Sequence, residues 1–220
     1  MYLVSTPKLL RVLYPTLIWQ IDTQDKCLYL TFDDGPHETA TPFVLDTLKQ
    51  FYAKATFFCI GKNVYKHRAL FERIIAEGHS VGNHTQNHAN GWDNNNYYYI
   101  KDVQVAGEVI PSNLFRPPYG RIKRSQIKLL QESDSFEGDE VANSGYHIIM
   151  WSVLSGDFDN SISKEKCLKN VLKNTKNGSI IVFHDSAKAF NKLEYALPKT
   201  LEHFSKAGYQ FKAIEMKGIK

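Results

Sequence analysis

The sequence has little cysteine and no long apolar run among its 220 residues. Its three cysteines, Cys27, Cys59 and Cys167, are far apart and form no Cys-x-x-Cys pair, which argues against a disulfide framework and against a thiolate zinc site. No run reaches the roughly 20 apolar residues that a membrane-spanning helix needs. The 13 glycines and 8 prolines follow no period, which excludes a collagen-like fibre.

What the sequence does have is the composition of a folded globular chain. Hydrophobic residues make up 43 % and charged residues 23 %, which gives enough apolar surface to offset the entropy of ordering the chain. The length fits one domain, and neither a repeat nor a linker divides it. The net charge of +4 is too small to identify an anionic partner, and we predict no nucleic-acid partner.

The stretch from residue 12 to residue 21 is the best candidate for a targeting signal. It contains Pro15, and no small-x-small cleavage pattern follows it. We therefore expect a structured segment that packs Leu17, Ile18 and Trp19 on the domain. A signal peptide is the alternative, so the compartment stays open between the cytoplasm and the cell envelope or exterior.

Strand-like and helix-like patterns alternate along the chain. The predicted strands are residues 27–32, 55–60, 79–82, 146–153, 178–183 and 209–214, and residues 114–120 run from a strand end into a proline-rich turn. The predicted helices are residues 41–51, 63–77 with Asn63 as its cap, 125–130, one that begins at Ser161 or Ser163, and 197–207. This order favours a parallel sheet, open or closed into a barrel. The polar stretch 132–145 is predicted to be a solvated loop, and residues 94–99 a helix-entry loop.

Polar residues follow four of the predicted strands, at the ends where α/β folds build their active sites. At the first end, Asp33 and Asp34 follow an apolar strand, and Gly35 and Pro36 allow a sharp turn. Adjacent carboxylates raise one another's pKa unless a cation lies nearby. Neighbouring strand residues point to opposite faces, so the two aspartates could play different roles. A structural turn is the alternative.

The second strand end carries two histidines. His84 and His88 are four residues apart, a spacing that on a helical turn lets both rings face one metal ion. With one aspartate they would make up the three protein ligands of a catalytic zinc site. Two surface histidines in a polar loop are the alternative.

The third and fourth strand ends each carry one charged or titratable side chain. Arg116 precedes two prolines, whose stiff backbone could hold the guanidinium against a buried carboxylate. His184 closes a very apolar strand and is a candidate general acid or base. The alternatives are a surface arginine in a proline turn and a hydrogen-bonded core histidine.

Taken in order, these clusters resemble the motifs of the polysaccharide deacetylases, the fourth carbohydrate esterase family, whose catalytic unit is the NodB-homology domain. The matching segments are Thr31-Phe-Asp-Asp-Gly35, His84-Thr-Gln-Asn-His88, Arg116-Pro-Pro-Tyr119 and Val182-Phe-His184, with a weaker match from Trp151 to Phe158. The resemblance spans about residues 26–214 and implies an α/β fold, a distorted (β/α) barrel. We therefore expect residues 1–25 to pack on the barrel as an N-terminal segment and residues 26–220 to form a single catalytic domain.

The resemblance also implies an activity and a cofactor. The activity would be metal-dependent removal of N-acetyl groups from amino-sugar polymers or oligomers of the peptidoglycan or chitin type. Asp34, His84 and His88 would bind one divalent ion, for which zinc is expected and cobalt or nickel are alternatives. The partner would be an acetylated carbohydrate, and the oligomeric state stays open. An O-acetyl xylan esterase, a small-molecule amidase of the same fold and a non-catalytic carbohydrate-binding relative are the alternative functions.

The resemblance also implies two pairs, each of one carboxylate with one basic side chain, that would carry out the proton transfers. Asp33 would be the general base that takes a proton from metal-bound water, and Arg116 would hold it. His184 would be the general acid that protonates the leaving amine, and Asp157 would pair with His184.

The remaining matched residues would bind the substrate. The backbone N–H of Tyr119 would help to stabilise the oxyanion, and Pro118 would lie beside it. Phe158 and Val182 would line the pocket for the acetyl methyl group. One motif departs from the family's common Asp-x-x-Asp-Trp, because Leu154 replaces its first aspartate and Phe158 replaces its tryptophan. We therefore expect an altered substrate rim.

Overall fold

Eight strands form one sheet in the computed structural model, which describes residues 2–132 and 145–215. The strands are β1 (Cys27–Asp33), β2 (Ala55–Cys59), β3 (Ser80–Asn83), β4 (Leu114–Phe115), β5 (His147–Ile148), β6 (Val153–Leu154), β7 (Ile180–His184) and β8 (Gln210–Phe211). Their order across the sheet is β5-β4-β3-β2-β1-β7-β6, and β8 pairs with the start of β1. Every pairing of these strands is parallel. The central strands β1 and β2 are almost fully buried, because helices pack on one face of the sheet and side chains inside the half-barrel fill the other.

Helices connect the strands in the order that the sequence predicted. They are α1 (Lys8–Leu13), α2 (Ala40–Gln50), α3 (Gly61–Lys66), α4 (Arg68–Ala76), α5 (Asn96–Gly107), α6 (Arg124–Gln131), α7 (Lys164–Asn174) and α8 (Phe190–Lys206), with a 3-10 turn at Pro118–Gly120. The result is a parallel-strand half-barrel, which confirms the predicted α/β fold class. Within residues 2–132 and 145–215, no helix combines the length and the apolar character needed to cross a bilayer.

The prediction of one helix over residues 63–77 was wrong. Two helices, α3 and α4, meet at His67, whose φ of −126° and ψ of 48° are not helical. The first of them begins at Gly61, so Asn63 lies inside it and is not its cap. The side-chain amide of Asn63 instead donates a hydrogen bond of 2.7 Å to the carbonyl of Asp34.

Two other elements differ from the prediction in their bounds. The last helix begins at Phe190, ahead of the predicted residue 197, because Leu193 already faces the core. The strand predicted over 209–214 is reduced to β8. The side chain of Asn95 caps α5 by accepting a 3.0 Å hydrogen bond from the N–H of Tyr98, which confirms a helix entry over residues 94–99. The polar stretch 132–145 lies outside the described residues except for its two ends.

The strand predicted over residues 146–153 is split into β5 and β6. Between them the chain pairs with the N-terminal segment: Ile18 donates to the carbonyl of Ile148 (2.9 Å), and Met150 donates to the carbonyl of Ile18 (2.7 Å). Leu17 is buried in the same apolar cluster as Ile148 and Met150. The N-terminal segment therefore packs on the sheet through Leu17 and Ile18.

Candidate active site

Three side chains from the ends of β1 and β3 form a compact cluster that could hold a metal ion. Ligand atoms of Asp34, His84 and His88 all lie within 4.8 Å of one another. Oδ1 of Asp34 is 3.3 Å from Nε2 of His88 and 3.8 Å from Nε2 of His84. Among the described residues, this buried Oδ1 has no hydrogen-bond partner. Because a buried carboxylate oxygen needs a partner, and because imidazole and carboxylate together suit a catalytic divalent ion, the cluster fits one.

The two histidines lie on an irregular loop and not on a helical turn. Thr85 and His88 have positive φ angles of 64° and 59°, so the segment is an irregular loop. The side chain of Asn83 accepts a hydrogen bond from the N–H of Thr85 (2.8 Å), and the Thr85 hydroxyl accepts one from the N–H of Ala89 (2.9 Å). These bonds fold the loop so that the rings of His84 and His88 lie 5.2 Å apart.

The surroundings of the cluster favour its metal-binding protonation state. Nδ1 of His84 lies 2.8 Å from the carbonyl of Arg116, which can only accept, so Nδ1 donates and Nε2 is left for a ligand. Burial lowers the pKa of His84 to about 4, so the ring is neutral at pH 7, as a metal ligand must be. Burial opposes the charge of Asp34, but the nearby rings of His88, His184 and His84 hold its pKa well below the usual value.

A fully buried ion pair lies beside the cluster. Nη1 of Arg116 donates to Oδ1 of Asp33 and to the hydroxyl of Thr31, both at 2.7 Å. The other guanidinium nitrogens donate to the carbonyls of Ile149 and Met150, each at 3.0 Å. Burial lowers the pKa of Arg116, although Asp33 opposes this effect. Backbone carbonyls and a hydroxyl thus share the stabilisation of this buried cation with Asp33.

A second pair lies on the neighbouring strand. The sheet register places His184 of β7 next to Asp33 of β1. Nδ1 of His184 is 2.7 Å from Oδ1 of the buried Asp157, whose Oδ2 accepts the His184 backbone N–H at 2.7 Å. Burial alone would lower the pKa of His184, but the charge and hydrogen bond of Asp157, with smaller effects from Asp34 and Asp33, raise it to about 10.

The remaining predicted residues surround these groups. The ring of Phe158 lies 5.1 Å from that of His184 and 5.0 Å from that of Tyr2. Val182 of β7 is buried next to Leu154 of β6, so the leucine that stands for the family's aspartate is part of an apolar patch.

The proline-rich turn adds a residue to the other side of the cluster. Pro118 is buried, and Tyr119 is exposed with a positive φ of 61°. The Tyr119 hydroxyl lies 3.0 Å from Nδ1 of His88.

The sequence reasoning missed a buried carboxylate directly after His184. Asp185 accepts hydrogen bonds from the N–H of Gly35 (3.0 Å) and from the hydroxyl of Thr41 (2.5 Å), and its own N–H donates to the carbonyl of Asp33 (3.1 Å). A side chain at Gly35 would collide with the Asp185 carboxyl group. Burial, helped by the charge of Asp34, raises the pKa of Asp185 to about 8. Asp185 thus fixes the turn that carries Asp33 and Asp34.

Fold and site together define a class: an α/β half-barrel that carries a candidate metal-binding cluster and two buried carboxylate–cation pairs at the carboxyl ends of parallel strands. The family model for polysaccharide deacetylases matches residues 20–134. The chain belongs to this family, the NodB-homology deacetylases of the fourth carbohydrate esterase family.

Individual relatives extend over most of the chain. A peptidoglycan-N-acetylglucosamine deacetylase from Bacillus cereus is 35 % identical over 202 residues, which are 89 % of this chain and 90 % of the relative. A chitooligosaccharide deacetylase from Azorhizobium caulinodans is 31 % identical over 173 residues, 76 % of this chain and 77 % of the relative. The crystal structure of the Bc1960 peptidoglycan N-acetylglucosamine deacetylase covers 95 % of each chain with a TM-score of 0.82 at 30 % identity. Other relatives are longer, and the chain spans 55 % or 38 % of their length.

Proposed function

We propose that this protein hydrolyses the N-acetyl amide of amino-sugar polymers or oligomers of the peptidoglycan or chitin type. The observation that carries the proposal is the convergence of a metal-binding cluster, an Asp33–Arg116 pair and a His184–Asp157 pair at one edge of the sheet. The named substrates of the relatives support the choice of amino sugars. A non-catalytic role is disfavoured, because a protein that only binds sugar has no use for this complete set.

Asp34, His84 and His88 are the proposed ligands of one divalent cation, with zinc as the first candidate. When bound, such an ion polarises the acetyl carbonyl and makes water a stronger nucleophile near neutral pH. The two histidines contribute neutral donors and Asp34 contributes one negative charge. This leaves a net positive charge in the site, which favours a developing oxyanion.

Asp33 is the proposed general base. Arg116 holds its Oδ1 in place, so Oδ2 is the oxygen that would take a proton from the attacking water. Arg116 cannot release its own proton at any ordinary pH, so it positions the base without competing for the proton. A positioned base contributes roughly 10²–10⁴ in rate.

His184 is the proposed general acid. Because Asp157 binds Nδ1, the other ring nitrogen, Nε2, is the one that can donate to the leaving nitrogen. A pKa raised to about 10 keeps the ring protonated at neutral pH. Amide nitrogen is a poor leaving group without a proton, and His184 would supply it.

The substrate-binding roles follow the same geometry. Phe158 and Val182, next to His184, are proposed to line the pocket for the acetyl methyl group. The backbone N–H of Tyr119, beside His88, is proposed to donate to the oxyanion, with Pro118 shaping the turn that carries it.

The proposal is tested by acetate release. Protein stripped with a chelator and reloaded with zinc or cobalt should release acetate from N-acetylglucosamine oligomers or peptidoglycan, and the stripped protein should not. Asp33→Asn should lower turnover by about 10²-fold or more while metal content, measured by elemental analysis, stays unchanged, because Asp33 is outside the ligand cluster. The matched control is Asp22→Asn, which changes an exposed aspartate near the N-terminus.

Two outcomes would contradict the proposal. Release of acetate from acetylated xylan alone would favour the esterase alternative. Sugar binding without acetate release from any substrate, by metal-loaded protein, would favour the non-catalytic alternative.

A further inference from the structure

Two large aromatic side chains are exposed at the edge of the candidate active site. Trp92 is 58 % exposed and Tyr119 is 61 % exposed. Isolated surface aromatics are common, but apolar surface that continues from a polar site more often binds a ligand. The two residues come from different loops, so their proximity is a property of the fold.

Arg121 joins these two rings into a continuous surface. The Tyr119 ring lies 4.5 Å from that of His88, the Arg121 guanidinium carbon is 5.9 Å from the Tyr119 ring centre, and it is 5.2 Å from the Trp92 ring centre. Each separation lies within the roughly 4–7 Å at which neighbouring rings or a cation and a ring are in contact. We call Tyr119, Arg121 and Trp92 the aromatic strip. It begins at the metal-binding cluster and leads away from it.

The strip is held in place before any ligand arrives. The indole N–H of Trp92 donates to the carbonyl of Ile122 (3.3 Å), and its backbone N–H donates to the side chain of Asn90 (3.0 Å). The N–H of Gly91 donates to the carbonyl of Arg121 (3.2 Å), which ties the two loops together. Because these loops are already ordered, a ligand that binds on Trp92 costs the protein little conformational entropy, which favours binding.

We propose that the aromatic strip is a subsite for a sugar next to the acetylated one, and that this sugar carries a carboxylate. The apolar face of a pyranose would lie on the exposed surface of Trp92. The guanidinium of Arg121 would donate to the carboxylate, for which its paired N–H groups are suited. Among residues 2–132 and 145–215, Arg121 is in no salt bridge.

The inference rests on the proposed function and narrows it. A carboxylate-bearing sugar next to an N-acetylated one occurs in peptidoglycan strands that carry no peptide, where the lactyl ether of one of the two sugars ends in a free carboxylate. Chitin oligomers have no carboxylate. The strip therefore predicts a preference for oligomers over single sugars, and for peptide-free peptidoglycan strands over the chitin type.

Binding to protein that cannot turn over separates this inference from the activity. Calorimetric titrations of metal-loaded Asp33→Asn protein would use three probes: N-acetylglucosamine, its tetramer, and a peptide-free peptidoglycan tetrasaccharide. Adding Trp92→Ala should weaken binding of both tetramers by roughly 2- to 10-fold and leave the single sugar unchanged. Adding Trp92→Phe should retain most of the affinity, which guards against misfolding as the cause.

A separate variant tests the charge of Arg121. Adding Arg121→Gln should weaken binding of the peptidoglycan tetrasaccharide by up to about 5-fold and leave the chitin-type tetramer unchanged. The control is Tyr52→Ala, which removes an aromatic that is 94 % exposed just before β2, at the opposite end of the sheet.

Unchanged affinity of the Trp92→Ala protein for both tetramers would overturn the subsite, as would an equal loss for the single sugar. An equal effect of Arg121→Gln on both tetramers would overturn the carboxylate. Failure of the proposed function has a different signature, since acetate release by the wild-type protein would then be absent whatever the variants bind.

Discussion

Two carboxylate–cation pairs in the site have the same length and different chemistry. Nη1 of Arg116 and Oδ1 of Asp33 are 2.7 Å apart, as are Nδ1 of His184 and Oδ1 of Asp157. Arginine keeps its proton, and here its nitrogens are also bound by a hydroxyl and two carbonyls. Histidine can release its proton, and Asp157 decides the pH at which it does so. In the proposed function, the first pair therefore positions the base and the second supplies a proton.

The largest expected effect comes from breaking the arginine pair. Arg116→Met would leave Asp33 buried without a cation, which should lower the free energy of unfolding by about 3–5 kcal/mol. Urea denaturation measures this change. The matched control is the double variant Asp33→Asn with Arg116→Met, which should recover part of the loss because no buried charge is left. A double variant as unstable as Arg116→Met would mean that the guanidinium acts through its carbonyl contacts and not through Asp33.

The second effect concerns the histidine pair and is read from pH dependence. Asp157→Asn removes the main group that raises the pKa of His184 to about 10. His184 should then lose its proton at a lower pH, and turnover should begin to fall at a lower pH than in the wild-type protein. The measurement is kcat/KM against pH, with Asp159→Asn as a control that changes a carboxylate two residues away. A profile that Asp157→Asn leaves in place would exclude His184 as the acid.

The same pair has a stability signature with a defined sign. The pKa of His184 in the folded protein lies above its ordinary value of 6.5, so folding is favoured by proton binding. The stabilisation by Asp157 should be complete below about pH 6.5 and lost as the pH rises toward 10. The unfolding free energies of wild-type protein and Asp157→Asn should therefore converge at high pH.

The smallest effect is expected where an ion pair is exposed. In α8, Nζ of Lys206 and Oε1 of Glu202 are 2.5 Å apart, which is closer than either pair in the site, yet both side chains are largely exposed to water. Lys206→Ala should change the unfolding free energy far less than Arg116→Met does and leave turnover unchanged. A loss comparable to that of Arg116→Met would show that distance and not burial sets the strength of these pairs.

Much of the site could be predicted because its residues follow strand ends that the sequence marks clearly. An apolar strand before Asp33, and another before His184, indicated which edge of the sheet would carry the chemistry. The way His84 and His88 meet could not be predicted, because their spacing also fits a helix. The hydrogen bonds of the Asn83 and Thr85 side chains stabilise a loop instead of a helix, and these bonds form only because β3 ends at Asn83.

Contacts between segments that are far apart in the sequence could not be predicted from local sequence patterns. Asp185 adjoins His184, but its partners Gly35 and Thr41 lie some 150 and 144 positions away. The break at His67 interrupts a helical pattern without proline or glycine as a signal. The split of the strand over residues 146–153 arises because Ile18 pairs there, a contact that no local periodicity reports.

That pairing has a consequence for where the functional unit begins. The carbonyls of Ile149 and Met150 bind Arg116, while the adjoining carbonyl of Ile148 and N–H of Met150 are paired with Ile18. A chain shortened to start at residue 26 would lose Ile18 and would expose this backbone within one residue of the groups that orient the arginine. Ile18 thus supports the backbone that holds Arg116 and, through it, Asp33, so removal of Ile18 should disturb this ion pair although Ile18 touches neither side chain.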